Sequence, residues 1–227
     1  MSQLGPVFLT TLRLLTFRAS REELVALGSV HLAFGLIATW IVGMGRWWDD
    51  PEALLFQHLG LGSVAYVFVL AFVLWALAKP LGPQDWNYRG VLTFVALTSP
   101  PAILYAIPVE RFLDLDTARQ VNVWFLAFVA TWRVGLLAFY LRKLGRLPWL
   151  SVIVASLLPL TIIVTALTAL NLERAVFDVM SGIRDDGTSS DQAYGVLVGL
   201  TFLSTLLVAP LLLAYGLIWF GRRRLSG

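Results

Sequence analysis

Six long apolar stretches alternate with polar connections along this chain, at about 24–45, 54–78, 90–109, 120–141, 147–170 and 195–220. Each reaches the roughly 20 residues that a helix needs to cross about 30 Å of hydrocarbon. The connections are short except for 171–194. The pattern predicts an all-α polytopic membrane protein, with six transmembrane helices in one bundle over residues 21–227. Ahead of it, Leu4, Phe8, Leu12 and Leu15 recur at helical spacing, with Arg13 and Arg18 offset from them. Residues 1–20 therefore read as a cytoplasmic interfacial amphipathic segment lying on the membrane surface. No basic stretch precedes its apolar run, which argues against a cleaved signal peptide.

Local signals refine the helices. Ser20 and Glu23 form a capping-box pattern that starts the first span. Asp50 and Pro51 have the form of a cap and first helical position for the second. Trp47, Trp48, Trp75, Trp149 and Trp219 fall near span ends as aromatic-belt anchors. Trp132 is deeper, as expected for packing between helices. Prolines stand near mid-depth in three spans: Pro100 with Pro101, Pro159, and Pro210. Each lacks a backbone donor and crowds the carbonyl four residues earlier, so breaks or kinks are expected. The freed carbonyls belong to Ala96, Leu97, Ala155 and Leu206, with Thr98, Ser99, Ser156, Thr161, Ser204 and Thr205 nearby. Such breaks persist in a membrane where protein or a water-filled cavity satisfies the freed groups. Hydroxyls beside kinks also serve plain helix packing.

Short internal similarities suggest a repeat. Ala38-Thr39-Trp40-Ile41-Val42-Gly43 parallels Ala130-Thr131-Trp132-Arg133-Val134-Gly135, and Leu92-Thr93-Phe94 parallels Leu200-Thr201-Phe202. The order fits a 3+3 inverted repeat, an arrangement that places binding sites near the midplane.

Composition supports the membrane reading. Hydrophobic residues make up 58% of the 227 positions and charged ones only 14%, against about 25% in soluble domains. The chain has no cysteine, which excludes disulfides, thiolate nucleophiles and sulfur metal sites. With the N-terminus placed inside, eleven basic residues fall at one end of the spans: Arg13, Arg18, Arg21, Lys79, Arg89, Arg142, Lys143, Arg146, Arg222, Arg223 and Arg224. Five (Arg46, Arg111, Arg119, Arg174 and Arg184) fall at the other, which also holds eleven of the fourteen acids. The positive-inside rule then puts both termini in the cytoplasm, as six spans require. An integral protein of a plasma or bacterial inner membrane is expected, with anionic lipids drawn to the basic cytoplasmic face. The high pI is topological and implies no nucleic-acid partner.

Catalytic chemistry is hard to place. His31 and His58 lie on different spans, which excludes a His-Glu-x-x-His metal helix. The nine aspartates lie in loops or at span ends, so a diaspartyl centre at depth is absent too. Gly60-Leu61-Gly62-Ser63 misplaces the serine of a rhomboid-type site, and Glu22-Glu23 has Leu27 where prenyl-protein proteases need arginine. Neither an enzyme nor a cofactor or metal site is expected, and the acids of the outer end read as a solvated face.

Arg133 remains, mid-span and without an intramembrane carboxylate to pair with. A charge there costs about 2.5–3.5 kcal/mol on insertion scales, which marks it for function. His31 has a similar depth. Arg133, His31, Thr98, Ser99, Tyr105 and Trp132 together form the expected ligand-binding set. The guanidinium has three available roles: bonding proline-freed carbonyls and hydroxyls, holding a lipid phosphate, or binding an anionic substrate. Two functions follow. One is a transporter, or a transporter's membrane subunit, handling an anionic small molecule near Arg133 and working as a homo-oligomer or with a partner membrane subunit. The other is a non-catalytic scaffold, assembly or lipid-organising protein.

The cysteine-free background makes orientation testable. Cysteines placed singly at Ser2 and Ser226 should resist a membrane-impermeant maleimide added outside intact cells, whereas one at Ser189 should react. The opposite pattern would invert the assigned orientation.

Overall fold

The computed structural model describes residues 4–45, 55–172 and 191–226. Over these residues the chain is helical, with no strand. The helices are α1 (Leu4–Leu15), α2 (Arg21–Val25), α3 (Ser29–Met44), α4 (Leu55–His58), α5 (Leu61–Ala78), α6 (Tyr88–Leu97), α7 (Leu115–Lys143), α8 (Trp149–Ala169) and α9 (Asp191–Ser226). Tighter 3₁₀ turns cover Lys79–Leu81, Pro100–Ala106 and Val109–Arg111. Four segments are long and apolar enough to cross a membrane: Leu61–Leu81, Gln120–Lys143, Trp149–Ala169 and Val198–Arg224. The Asp50-Pro51 signal, Trp47, Trp48 and most of the 171–194 connection lie outside the described residues.

The first and third expected spans take a different form. The Ser20–Glu23 box is present: Glu23 N–H donates to the Ser20 hydroxyl at 3.2 Å, and Ser20 N–H donates to the Glu23 carboxylate at 2.8 Å. It starts the five-residue α2, not the span. The chain then turns at Ala26–Gly28 before α3, whose 16 residues extend about 24 Å. The third stretch is helical only to Leu97 and continues as the 3₁₀ turn from Pro100. Two successive prolines remove two adjacent donors, more than one α-helical turn absorbs. Single prolines act differently here. Pro159 and Pro210 stand inside uninterrupted helices, where the expected breaks do not occur. A lone missing donor leaves the hydrogen-bond ladder on either side intact.

α6 lies at the centre of the packing. Val91 through Leu97 are all buried, which a helix apolar on every side requires. α3 and α5 pack on it and on each other. The close approach of α3 depends on small residues at four-residue spacing, Gly35, Thr39 and Gly43, all buried. A Cβ on Gly35 would lie 2.8 Å from the Ala96 Cβ and 2.9 Å from the Ala96 backbone carbon. One end of the same stripe meets Gly60, whose left-handed φ of 65° opens α5 and brings it against Gly43. α7 continues the bundle through Tyr140, whose ring stacks on Phe94 with centroids 4.2 Å apart. α8 pairs with α9 through Val154, Leu158 and Leu211. The expected repeat partners therefore differ in form, since α6 is short and capped by a break while α9 is long and continuous.

α1 buries Val7, Thr11 and Leu14. The Leu4, Phe8 and Leu12 stripe is exposed. The helix thus has two apolar faces, one on protein and one free for lipid. Its end is fastened to α7: the Trp132 indole N–H donates to the Leu15 carbonyl at 2.9 Å, and Phe17 meets Phe139 edge-on.

Gly35→Val should destabilise the bundle by about 1–3 kcal/mol, because overpacking against backbone cannot relax by a rotamer change. Gly199→Val, where an added Cβ meets nothing within 4 Å, should change the melting temperature in detergent far less. Equal melting temperatures for the two variants would refute the close α3–α6 crossing.

Candidate functional site at the basic end of the bundle

The break after α6 would leave its carbonyls facing an apolar interior, and the sequence around it supplies hydroxyls. The Thr98 and Ser99 side chains, both buried, donate to the Val95 carbonyl at 2.9 and 3.4 Å. The Ala96 carbonyl, one of those expected to be freed, accepts the Ser99 N–H at 3.2 Å. The Thr39 hydroxyl of α3, bonded to Gly35 at 2.8 Å, also reaches Ala96 at 3.5 Å. Local hydroxyls and the Ser99 N–H, and not Arg133, therefore cover the Val95 and Ala96 carbonyls at the break. Thr98 and Ser99 are structural donors turned back onto their own helix.

Arg133 lies on the inward stripe of α7, one turn from buried Val129 and from buried Leu136 and Leu137. It is half-buried, and among the described residues nothing accepts a hydrogen bond from its guanidinium. Tyr140 lies about 10 Å along the helix toward the basic end. Tyr140 stacks on Phe94, so Arg133 stands near the depth of Pro100 and Pro101, beyond the carboxyl end of α6. The other expected members do not join it. His31 caps the start of α3, its Nδ1 accepting the Gly28 N–H at 3.3 Å. Trp132 is committed to Leu15, and the Tyr105 side chain falls outside the described residues.

Polar groups converge instead at the basic end. The Gln84 N–H donates to the Gly145 carbonyl at 3.0 Å, tying the α5–α6 connection to the α7–α8 turn. Arg222 donates to the Leu81 carbonyl at 2.7 Å and ties in the end of α9. Arg21 pairs with Asp85, Arg13 with Glu23, and Arg89 donates to the Ser29 hydroxyl. The Ser20 N–H, and after it Arg13, hold the Glu23 carboxyl below its usual value. Asn87 caps α6, its side-chain oxygen accepting the Gly90 N–H at 2.8 Å.

A cavity of about 310 Å³ opens among these elements. Leu24, Val25, Leu27 and Gly28 of the α2–α3 turn form one wall, and Asp85, Asn87, Arg89 and Gly90 form another. Tyr140 and Leu144 of α7 complete it. None of Arg133, His31, Thr98, Ser99 or Trp132 lines it. Among the described residues, no three of His, Cys, Asp and Glu are grouped to hold a metal ion. The sequence reading missed Tyr140 because its hydroxyl stands at the end of an apolar stripe, where tyrosine reads as belt or core. The usable signal was Asn87 before Tyr88-Arg89-Gly90, a capped helix start in a basic segment.

Comparison with known proteins finds no matching family model, no matching curated protein and no matching solved structure.

Arg133→Leu should leave the melting temperature in detergent unchanged or raised, since it removes a costly charge without breaking a described bond. A fall of more than a few degrees would show that the guanidinium holds the bundle together.

Proposed function

We propose that this protein is a non-catalytic membrane protein that organises anionic lipids around its basic end. Cation placement carries this reading. Three basic groups on three separate segments lie over tryptophan rings: Lys79 over Trp75 at 4.8 Å, Arg142 over Trp149 at 5.5 Å, and Arg223 over Trp219 at 4.2 Å. Tryptophan settles at headgroup depth, so cations held over these rings stand where lipid phosphates lie. Each basic group near an anionic surface contributes about 1 kcal/mol of attraction. The wide apolar exposure of α1, α5 and α9 is lipid-facing surface in this reading, with six spans satisfied by α3 and the α6–3₁₀ segment as shorter crossings. Both termini then face the cytoplasm.

A second reading is a transporter, or a transporter's membrane subunit, that handles an anionic small molecule near Arg133. Its support is a guanidinium on the inward stripe of α7 that no group among the described residues pairs with, level with a helix break of the kind that lines transport sites.

Protein extracted into nanodiscs from a phosphatidylethanolamine–phosphatidylglycerol mixture should retain phosphatidylglycerol above its bulk fraction. Lys79→Gln, Arg142→Gln and Arg223→Gln combined should bring the ratio back toward bulk. Retention at the bulk ratio by the unaltered protein, with vesicle anion flux that Arg133→Ala abolishes, would replace the lipid reading with transport.

A further inference from the structure

We propose that the basic-end cavity binds a phosphate group, seated at the first turn of α6 between Arg89 and the Tyr140 hydroxyl. The inference rests on reading this end as headgroup-facing, and adds to it a built site with one class of ligand.

Tyr140 is the first observation. It is 1% exposed, with its ring between Phe94 at 4.2 Å and Trp86 at 5.9 Å. Its hydroxyl has no hydrogen-bond partner among the described residues, although the side chain lines the cavity. The hydroxyl meets the cavity and no acceptor among the described residues, so it is free to bond whatever occupies that space. Two aromatic neighbours fix its position, so it is a preorganised donor.

The start of α6 is the second. Asn87 uses its side-chain oxygen for the Gly90 N–H and its carbonyl for the Val91 N–H. Helix geometry leaves the Tyr88 and Arg89 N–H groups without intrahelical acceptors, at the positive end of the dipole. Anions bind such ends, and phosphate above all, because its oxygens accept several donors together. Gly90 keeps the place open: a Cβ there would stand 3.4 Å from the Tyr140 hydroxyl oxygen and 3.4 Å from the Asn87 side-chain oxygen.

Charge is the third. Asp85 also lines the cavity, but its carboxylate is engaged by Arg21. Arg89 carries no opposing carboxylate among the described residues and spends one donor on Ser29. The rest of its planar fork suits a phosphate. Leu24, Leu27 and Leu144 are buried at the apolar wall, where a glyceryl or acyl portion would lie.

The phosphate comes from a lipid headgroup or from a soluble ester, and one experiment separates them. The full chain in mild detergent is titrated with dioctanoyl-phosphatidylglycerol, glycerol phosphate, or phosphate-free dioctanoylglycerol, and thermal shift is read. A phosphate-dependent shift is expected. Its midpoint should weaken about tenfold in Arg89→Gln, weaken in Tyr140→Phe, and be lost in Gly90→Val, where the side chain closes on the Tyr140 hydroxyl. Thr205→Ala, whose hydroxyl bonds only the Thr201 carbonyl of its own helix, should bind as the unaltered protein does. If Tyr140→Phe fails to fold, Arg89→Gln and Gly90→Val decide alone. Equal response to glycerol phosphate would keep the phosphate site while removing its support for lipid organisation. No response to either phosphate, an equal response to dioctanoylglycerol, or a midpoint unchanged in Arg89→Gln and Gly90→Val would overturn the site.

Discussion

Hydrocarbon offers no hydrogen-bond partner, so every backbone group of this chain at membrane depth must be satisfied by the protein itself. α6 makes that constraint acute, because it stops at Leu97 in the most buried part of the bundle. Thr98 and Ser99 return their hydroxyls to Val95, and Ser99 N–H covers Ala96. Thr39 adds a donor from α3, which it can do only because Gly35 brings α3 against Ala96. The crossing of α3 with α6 and the bonding of the Val95 and Ala96 carbonyls are thus one device, in which small residues permit contact and hydroxyls supply donors.

A short buried helix with two distinct ends also sorts charge. Its amino end lies in the basic rim, capped by Asn87 and flanked by Arg89, with the Tyr140 hydroxyl on the cavity wall. Its carboxyl end lies toward the depth of Arg133. A helix dipole draws anions to the first end and cations to the second. The first turn of α6 faces the cavity through Arg89 and Gly90. In the lipid-organising reading proposed above, the anionic partner sits at this basic rim, while Arg133 lies toward the level of the break.

Much of the fold was legible in the chain. Spans longer than about 20 apolar residues admit little besides a membrane helix, and α5, α7, α8 and α9 follow from that alone. The Ser20–Glu23 box was legible too, yet it opens α2, since a capping box specifies a helix start and says nothing of helix length. Proline was the less certain signal. Pro159 and Pro210 sit within continuous helices while Pro100–Pro101 ends one, so the number of adjacent missing donors mattered more than depth. The α1 stripe of Leu4, Phe8 and Leu12 is exposed, while the second face, through Val7 and Leu14, packs on protein, which the stripe alone did not announce.

Length and periodicity settled that this chain is helical and suited to a bilayer, because the hydrophobic effect acts on composition and spacing before any contact forms. Charge asymmetry between span ends likewise belongs to the chain itself. Which polar groups meet was decided only in three dimensions. Arg133, His31, Thr98, Ser99 and Trp132 have comparable claims in sequence, but each side chain's direction depends on helix rotation and on which neighbour crosses closest. Packing sends Trp132 to Leu15, His31 to its own helix start, and Thr98 and Ser99 to the α6 break. It then brings Gly90, Arg89 and Tyr140 to one cavity across about 50 residues of chain. No periodicity reports such a meeting, because it is set by the α6–α7 contact and not by either helix alone.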